Sequence, residues 1–271
     1  MEQKWGLNNM LITLGGLKEG YNEITNMQSK CQDMMMDIGV HKIQKGRSVT
    51  FFEEIKETAI NILNGHVTFE WQSKSADSIR RSVFDEGPSV LHFPCMTEVV
   101  MEAIADSEVL IQKTTNDRSF PVRHLSGTDI RYDVWGEGIW DETAKRNVRF
   151  IIEYKSSPYS NLVMGEVINY PGRWSTFIPH THDHPEVYFY RFDRENGFGA
   201  GFVGDDVFKT RHNSATCIRS GMPHPQTSAP GYAMYYCWMM RHLEDNPFTS
   251  KIEDDRYKWL FDQDVKIWPN K

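Results

Sequence analysis

The sequence predicts an all-β protein built from two similar barrels in tandem. Three observations lead to this prediction. Short runs rich in β-branched and aromatic residues recur along the chain, separated by Gly, Pro, Asn and Asp. Helical periodicity is weak throughout. A similar order of residues also appears twice, at an offset of about 125 residues.

The predicted strands follow one another at short intervals, which is typical of a barrel or a sandwich. In chain order they cover residues 57–63, 66–71, 89–93, 98–104, 147–154, 161–170, 186–192, 198–203 and 232–240. The segment 96–111 also fits a helix, but its valines and isoleucines favour a strand equally. A short helix is predicted near residues 254–264.

The internal repeat is the reason for predicting two barrels rather than one. Residues 43–63 and 168–190 share a Gly-Arg pair, a Ser/Thr-aromatic run, and a glutamate that is followed by an alternating strand. We therefore predict an N-terminal unit over residues 1–125 and a C-terminal unit over residues 126–271.

Composition excludes several classes of partner. The net charge of −7 and the isoelectric point near 5.8 provide no basic field for nucleic acid. The four cysteines are far apart and form no CxxC pair, which fits a reducing compartment. No signal peptide and no run of about 20 apolar residues is evident. We expect a soluble cytoplasmic protein that binds neither nucleic acid nor membrane.

The sequence HTHDHPE carries the densest cluster of potential metal ligands. Residues two apart in a strand face the same side, so His180 and His182 project together, and Glu186 joins them if the chain stays extended. Pro185 can interrupt that extension. Imidazoles with a carboxylate suit Zn, Fe, Mn, Co or Ni. His224, in the turn-like sequence GMPHP, is the candidate fourth ligand.

HxHxxxE followed by GxxH resembles the metal motifs of the cupin superfamily, whose fold is a small β-barrel. GEVINYPGRWSTFIPHTHDHPEVYFYRF is similar, more narrowly, to the 5-deoxy-glucuronate isomerase family of inositol catabolism and to its relative 5-keto-4-deoxyuronate isomerase. The resemblance covers residues 128–265. It implies a jelly-roll-like bicupin with a divalent metal in the C-terminal barrel, zinc by family precedent, with Mn or Fe as alternatives. The implied ligands are His180, His182, Glu186 and His224.

The N-terminal unit departs from this motif. It has the sequence EEIKE where the C-terminal unit has its first two histidines, and Val99 falls near the position that matches His224. We therefore predict a degenerate cupin barrel without a metal motif. Glu57, which aligns with Glu186, is expected to be salt-bridged or exposed rather than a ligand.

The resemblance implies an aldose–ketose isomerase that converts 5-deoxy-glucuronate to 2-deoxy-5-keto-gluconate. Such a reaction needs a polarised hydroxy-carbonyl group and a base that moves a proton between adjacent carbons. Tyr188 and Tyr190 share the side of the strand that carries the ligands and are the catalytic candidates, although barrel-lining aromatics would follow the same pattern. Asp183 and His184 are alternatives, with His184 otherwise supporting the ligands or facing solvent.

The substrate carboxylate favours an arginine. Arg219 is our first candidate, because it stands where the second cupin motif usually has proline. Arg173, Arg191 and Arg211 also lie near the motifs in sequence, and lone arginines, Arg219 included, are mostly solvated surface residues.

Other functions remain open at this point. They are 5-keto-4-deoxyuronate isomerisation in pectin breakdown, non-catalytic sugar binding by a bicupin, and oxygen chemistry by a cupin dioxygenase. No GxGxxG turn follows a strand, so a nicotinamide cofactor is not expected. The expected partner is a small-molecule uronate, and a homo-oligomer is left open.

Overall fold

The computed structural model describes residues 10–269, and this part of the chain is almost entirely β-structure, which confirms the predicted fold class. The strands up to residue 126 are β1 (Leu11–Thr13), β2 (Gly20–Thr25), β3 (Asp37–Ile43), β4 (Ser48–Phe51), β5 (Lys56–Trp71), β6 (Lys74–Arg80), β7 (Ser89–Phe93), β8 (Val99–Ala103), β9 (Ser107–Thr115) and β10 (Arg123–Ser126). The later strands are β11 (Arg131–Trp135), β12 (Arg146–Ile152), β13 (Leu162–Asn169), β14 (Trp174–Ser175), β15 (His180–Thr181), β16 (Glu186–Phe192), β17 (Phe198–Val203), β18 (Asp206–Arg211), β19 (Ser214–Ile218), β20 (Gln226–Ser228), β21 (Met234–Arg241) and β22 (Ile252–Glu253).

Helical structure is short and of the 3₁₀ type. It covers Gln32–Met34, Gly127–Asp129, Trp140–Glu142 and Asp255–Phe261. The last of these lies where the short helix was predicted. The ambiguous segment 96–111 forms β8 and β9 instead of a helix, because its valines and methionine pack into a sheet face. Within residues 10–269, no helix combines the length and apolarity needed to cross a bilayer.

The N-terminal half is a curled nine-stranded sheet. Its main path runs β10-β7-β5-β9-β3-β2, and β4, β6 and β8 attach at its side. Strand β5 is 16 residues long. Its first part pairs with β7 and β9 and its second part with β6 and β8, so one strand turns the sheet around an apolar interior.

The C-terminal half is built around a seven-stranded sheet in the order β1-β19-β16-β21-β13-β12-β11. A four-stranded sheet, β14-β20-β17-β18, closes one side, and β15 pairs with β22. Strand β1 comes from the first half of the chain but pairs with β19, with Leu11 opposite Thr216. The first part of the chain therefore contributes one strand to the sheet of the second half. The domain division at 125/126 stays a prediction.

Alternate residues along the central strands serve two different cores. On β16, Val187 and Phe189 join a large apolar cluster that lies between the two halves, whereas Tyr188 and Tyr190 face the interior of the C-terminal barrel. Strand β5 alternates in the same way. Because side chains in a strand alternate between its faces, each of these strands forms a wall that two cores share.

A buried ionic network also joins the halves. Glu166 is fully buried, and Arg80 donates to both of its carboxylate oxygens at 2.7 and 2.8 Å. Arg149, Tyr235 and Asn61 donate further hydrogen bonds to the same carboxylate at 3.2, 2.9 and 2.8 Å. Burial alone raises the pKa of Glu166, but the positive charge and hydrogen bonds of Arg80 outweigh it and bring the pKa to about 2.

Glu57 occupies a second buried network at the junction. It is fully buried and lies within ion-pair distance of His92, so of the two expected alternatives, salt-bridged or exposed, the structure supports the first. Its carboxylate lies 2.8 Å from the ring of His92 and accepts hydrogen bonds from Ser160 and Asn116 at 2.9 and 3.0 Å. The reason is strand parity: Glu57 shares its side of β5 with Ala59, which faces the cluster between the halves.

Candidate metal centre

Three of the predicted ligands converge at one end of the C-terminal barrel. The candidate ligand atoms of His180, His182 and His224 all lie within 4.8 Å of one another, and the side chains are buried. Glu186 completes the group, since its Oε2 lies 3.2 Å from Nε2 of His182 and 3.1 Å from Nε2 of His224. The sequence spacing therefore does bring these four side chains together.

The backbone fixes each ligand in a different way. His180 lies on the two-residue strand β15, held by β22, with His180 opposite Glu253. Glu186 begins β16, which is paired on both sides, by β19 and β21. Gly221 adopts a φ of 77°, and its N–H donates to the carbonyl of His182 at 2.9 Å. This turn ties the segment that carries His224 to the first motif.

The hydrogen bonds around His224 show that the group suits a cation. Its Nδ1 lies 2.7 Å from the carbonyl of Met222, so Nδ1 must carry the proton there. The Nε2 lone pair then faces the carboxylate of Glu186, and Nε2 has no hydrogen-bond partner among the described residues. Two acceptors this close repel one another unless a positive charge lies between them. Nδ1 bonded to a carbonyl is also the usual orientation of a metal-ligating histidine.

The protonation states fit the same interpretation. Burial raises the pKa of Glu186, but the hydrogen bond from His182 and the nearby ring of His224 outweigh it and lower the pKa to about 2, so the carboxylate is ionised. Burial, together with the charges of His224 and Lys251, lowers the pKa of His180 well below its usual value. An ionised carboxylate and a neutral imidazole are the forms that bind a divalent metal.

A cavity of about 130 Å³ opens beside the ligand group. At about 30 Å³ per molecule in liquid water, this volume corresponds to roughly four water molecules. Most of its wall is apolar or aromatic. The lining residues are Trp135, Arg146, Val148, Phe150, Val167, Thr176, His180, His182, Glu186, Tyr188, Tyr236, Trp238, Met240, Phe248 and Lys251.

The two predicted catalytic tyrosines differ in their surroundings. Tyr188 lines the cavity, and its hydroxyl has one distant partner, Thr176 at 3.5 Å. Tyr190 does not line it, and its hydroxyl is already engaged by Thr216 and Gln226 at 2.8 and 2.6 Å. Burial raises the pKa of both phenols well above 10. The catalytic role therefore stays a prediction, and the geometry supports it for Tyr188 only.

Arg219 does not reach the cavity wall. Its Nε donates to Asp33 at 2.8 Å, on the side of β19 that faces the N-terminal half. The prediction that Arg219 binds a substrate carboxylate therefore finds no support in its placement. Two other cations occupy the wall instead, Arg146 and Lys251.

The alternative candidates between the ligands are turned away from the cavity. His184 is buried, and its Nε2 lies 2.8 Å from the carbonyl of Asn246, so the solvent-facing alternative is wrong. Asp183 accepts a hydrogen bond from the side chain of Asn246 at 3.1 Å. Through Asn246, both residues fix the segment that contains Phe248. The centre of the Phe248 ring lies 5.2 Å from the centre of the His182 ring.

Sequence reasoning missed the cations of this cavity. Arg146 directly precedes the predicted strand 147–154 and has the parity of Val148, which lines the cavity, so parity offered a signal. Lys251 offered none, because it reaches the site through the tertiary pairing of β22 with β15. The aromatic side chains contributed by Trp135 and Phe248 likewise depend on how distant segments pack.

Comparison with known proteins identifies relatives across most of the chain. The family model described as KduI/IolB family matches residues 11–260. The 5-deoxy-glucuronate isomerase of Geobacillus kaustophilus (strain HTA426) is 23% identical over 219 residues, which cover 74% of this chain and 77% of that protein. The 5-deoxy-glucuronate isomerase of Bacillus subtilis (strain 168) is 23% identical over 225 residues, or 76% and 80% of the two chains.

Solved structures share the fold. An IolB-like protein from Salmonella typhimurium LT2 superposes with a TM-score of 0.84 at 21% identity, covering 94% of this chain and all of that one. An oxalate decarboxylase from Lactobacillus farciminis, solved as a formate complex, gives a TM-score of 0.67 at 11% identity over 93% and 90% of the two chains. The predicted architecture of two tandem cupin-type barrels is confirmed.

Proposed function

The chain belongs to the KduI/IolB family, and on that premise we propose that it is a metal-dependent isomerase that converts 5-deoxy-glucuronate to 2-deoxy-5-keto-gluconate. The observation that carries this proposal is the group of three histidines and one glutamate that borders a largely apolar cavity. Relatives that match three quarters of the chain bear the name of this activity.

The ligand group would hold one divalent metal, for which we propose zinc, with manganese or iron as alternatives. His180, His182, Glu186 and His224 supply the donor atoms, and the orphaned Nε2 of His224 is the structural sign that they fit a cation. When bound, the metal would supply Lewis-acid polarisation of a hydroxy-carbonyl group, which aldose–ketose isomerisation requires.

The side chains that line the rest of the cavity exclude water and position the substrate. The apolar rings of Phe150, Trp238 and Phe248 exclude water from the cavity. Exclusion of water keeps the local dielectric low and strengthens every polar contact with the substrate. The hydroxyl of Tyr188 lies in this wall and can donate a hydrogen bond to a substrate oxygen. These residues position the sugar chain so that one proton moves between adjacent carbons.

The decisive experiment uses purified, metal-analysed protein and 5-deoxy-glucuronate, with the ketose product followed by NMR. Turnover in D₂O is expected to place deuterium at the former carbonyl carbon, since a proton transferred through an enediol exchanges with solvent. Complete retention of the substrate hydrogen would indicate a hydride shift instead.

Other outcomes separate the alternatives. Turnover of 5-keto-4-deoxyuronate but not of 5-deoxy-glucuronate would move the assignment to the sister isomerase. Oxygen consumption that depends on substrate would indicate a dioxygenase. Sugar binding without conversion of either uronate by metal-replete protein would contradict the isomerase and support a binding protein.

A further inference from the structure

Arg146 is a buried cation without an acidic partner. The residue is 5% exposed and lines the cavity beside the ligand group. Its Nη1 donates to the carbonyl of Ala144 at 2.7 Å, and within residues 10–269 it forms no ion pair with a carboxylate. Burying an unpaired guanidinium is costly, so a chain that does so needs a reason. The remaining donors of Arg146 are available to a ligand in the cavity.

Lys251 brings a second positive charge to the same end of the cavity. Its Nζ lies 3.5 Å from Nδ1 of His180 and 3.6 Å from a carboxylate oxygen of Glu253. The guanidinium carbon of Arg146 and Nζ of Lys251 lie 5.3 and 5.5 Å from the centre of the Trp135 ring. Both cations therefore contact one aromatic side chain next to the metal ligands.

Glu253 lies 3.6 Å from Lys251, but the charge of Arg146 has no counter-ion among the described residues. Glu186 is the carboxylate in the described wall, and its charge is directed to the histidines. The other walls are mainly apolar, with two hydroxyl-bearing tyrosines and one threonine. In such surroundings a cation attracts an anion much more strongly than at the surface. A planar guanidinium also matches the geometry of a carboxylate.

We propose that Arg146 and Lys251 form the subsite that binds the carboxylate of a uronate substrate, and that Arg146 sets the preference for sugar acids over neutral sugars. This inference rests on the proposed function for the identity of the substrate. It replaces Arg219, which sequence reasoning favoured. The carboxylate end of the sugar lies at the cations, and the hydroxy-carbonyl end lies at the ligand group.

The test measures binding of a uronate, glucuronate, rather than turnover of 5-deoxy-glucuronate. Glucuronate and glucose, which differ in the charge at the terminal carbon, are titrated into metal-replete wild-type protein and into Arg146→Gln, Arg146→Lys and Lys251→Met variants. Metal content and thermal midpoint are measured for each. Arg81→Gln is the matched control, because the Arg81 side chain is 86% exposed and pairs with Glu86 away from the cavity.

Glucuronate is expected to bind to wild-type protein more tightly than glucose does. Arg146→Gln is expected to weaken glucuronate binding by about 30-fold or more, as happens when one member of a buried charged pair is removed. Arg146→Lys restores part of this loss. Lys251→Met weakens binding by about 5-fold, since the Lys251 side chain is 31% exposed and more screened. Glucose binding and metal content stay unchanged in every variant.

Several results would overturn the subsite. They are equal binding of glucuronate and glucose by wild-type protein, wild-type affinity in metal-replete Arg146→Gln, or loss of affinity in Arg219→Gln instead. If Arg146→Gln does not fold, wild-type affinity of Lys251→Met for glucuronate would overturn the subsite instead. Arg146-dependent glucuronate binding without any isomerisation would refute the proposed function and keep the subsite. Undiminished isomerisation by Arg146→Gln would refute the subsite and keep the function.

Discussion

Replacing Glu166 by glutamine tests what holds the two halves together. The carboxylate is fully buried, and each of its oxygens accepts a hydrogen bond from Arg80. The pKa of Glu166 falls from 4.5 to about 2 in the folded protein. A shift of this size corresponds to about 3 kcal/mol of stability at neutral pH. Glutamine keeps the shape but leaves the guanidinium of Arg80 buried without its counter-charge, which costs a similar amount.

The pH dependence follows from the direction of the shift. Because the folded-state pKa is depressed, the stabilisation is fully present above pH 4.5 and is lost as the pH falls towards 2. Wild-type protein and Glu166→Gln are therefore expected to differ by about 3 kcal/mol in urea unfolding at pH 7, and the difference narrows as the pH falls below 4.5. Glu102→Gln, an exposed change on β8, is the control and leaves the midpoint unchanged.

Equal urea midpoints for wild-type protein and Glu166→Gln at pH 7 would refute this reasoning. The apolar cluster between the halves would then carry the junction alone. A difference that stayed constant from pH 7 to pH 2 would also refute it, since that result would show that the loss has a steric rather than an ionic origin.

The remaining predictions concern the metal centre and its walls. His224→Ala is expected to lose most of about one bound metal per chain, measured by elemental analysis, and full retention would contradict the ligand assignment. Tyr188→Phe is expected to lower kcat/KM with little effect on the urea midpoint. Tyr190→Phe is expected to destabilise the fold by about 1–3 kcal/mol, because the buried side chains of Thr216 and Gln226 lose their hydrogen bonds to the Tyr190 hydroxyl. A stable Tyr190→Phe with low activity, together with an unstable but active Tyr188→Phe, would reverse the two roles. Gly165→Ala is expected to destabilise the folded protein by at least about 2 kcal/mol, since the added Cβ would lie 2.2 Å from the ring of Trp238. Displacement of that ring should also narrow the cavity. Wild-type stability and activity in this variant would count against this packing.

The ligand group was predictable from sequence because its signal is local. The two-residue spacing of His180 and His182 fixes which way each points, and one turn supplies His224. The role predicted for Arg219 stays a prediction that its placement does not support. Arg219 shares the parity of Cys217, which faces the junction, whereas Ile218 faces the barrel interior. The position of Arg219 in the motif suggests the cavity, whereas its strand parity favours the junction between the halves.

The rest of the site is formed by residues that are far apart in sequence, and no local sequence pattern predicts that they meet. Arg146 and Lys251 lie more than 100 residues apart, and both contact Trp135 only after β11, β12 and β22 have paired. Similarly, the burial of Glu57 results from the packing of one barrel on the other. The barrels were predictable from alternating apolar patterns, but the surface on which they meet was not.

The pairing of β1 with β19 joins two segments that the ribosome synthesises at very different times. Leu11 is synthesised before Thr216, its partner, which follows roughly 200 residues later. At about 5–20 residues per second on the ribosome, β1 waits about 10–40 s for the edge strand that it completes. Strands β2 to β10 emerge long before that, and the apolar face that they present to the second half must stay uncovered meanwhile. A nascent chain is therefore most vulnerable to aggregation in this interval, so slower translation should lower the yield of native protein even though the finished sequence is unchanged.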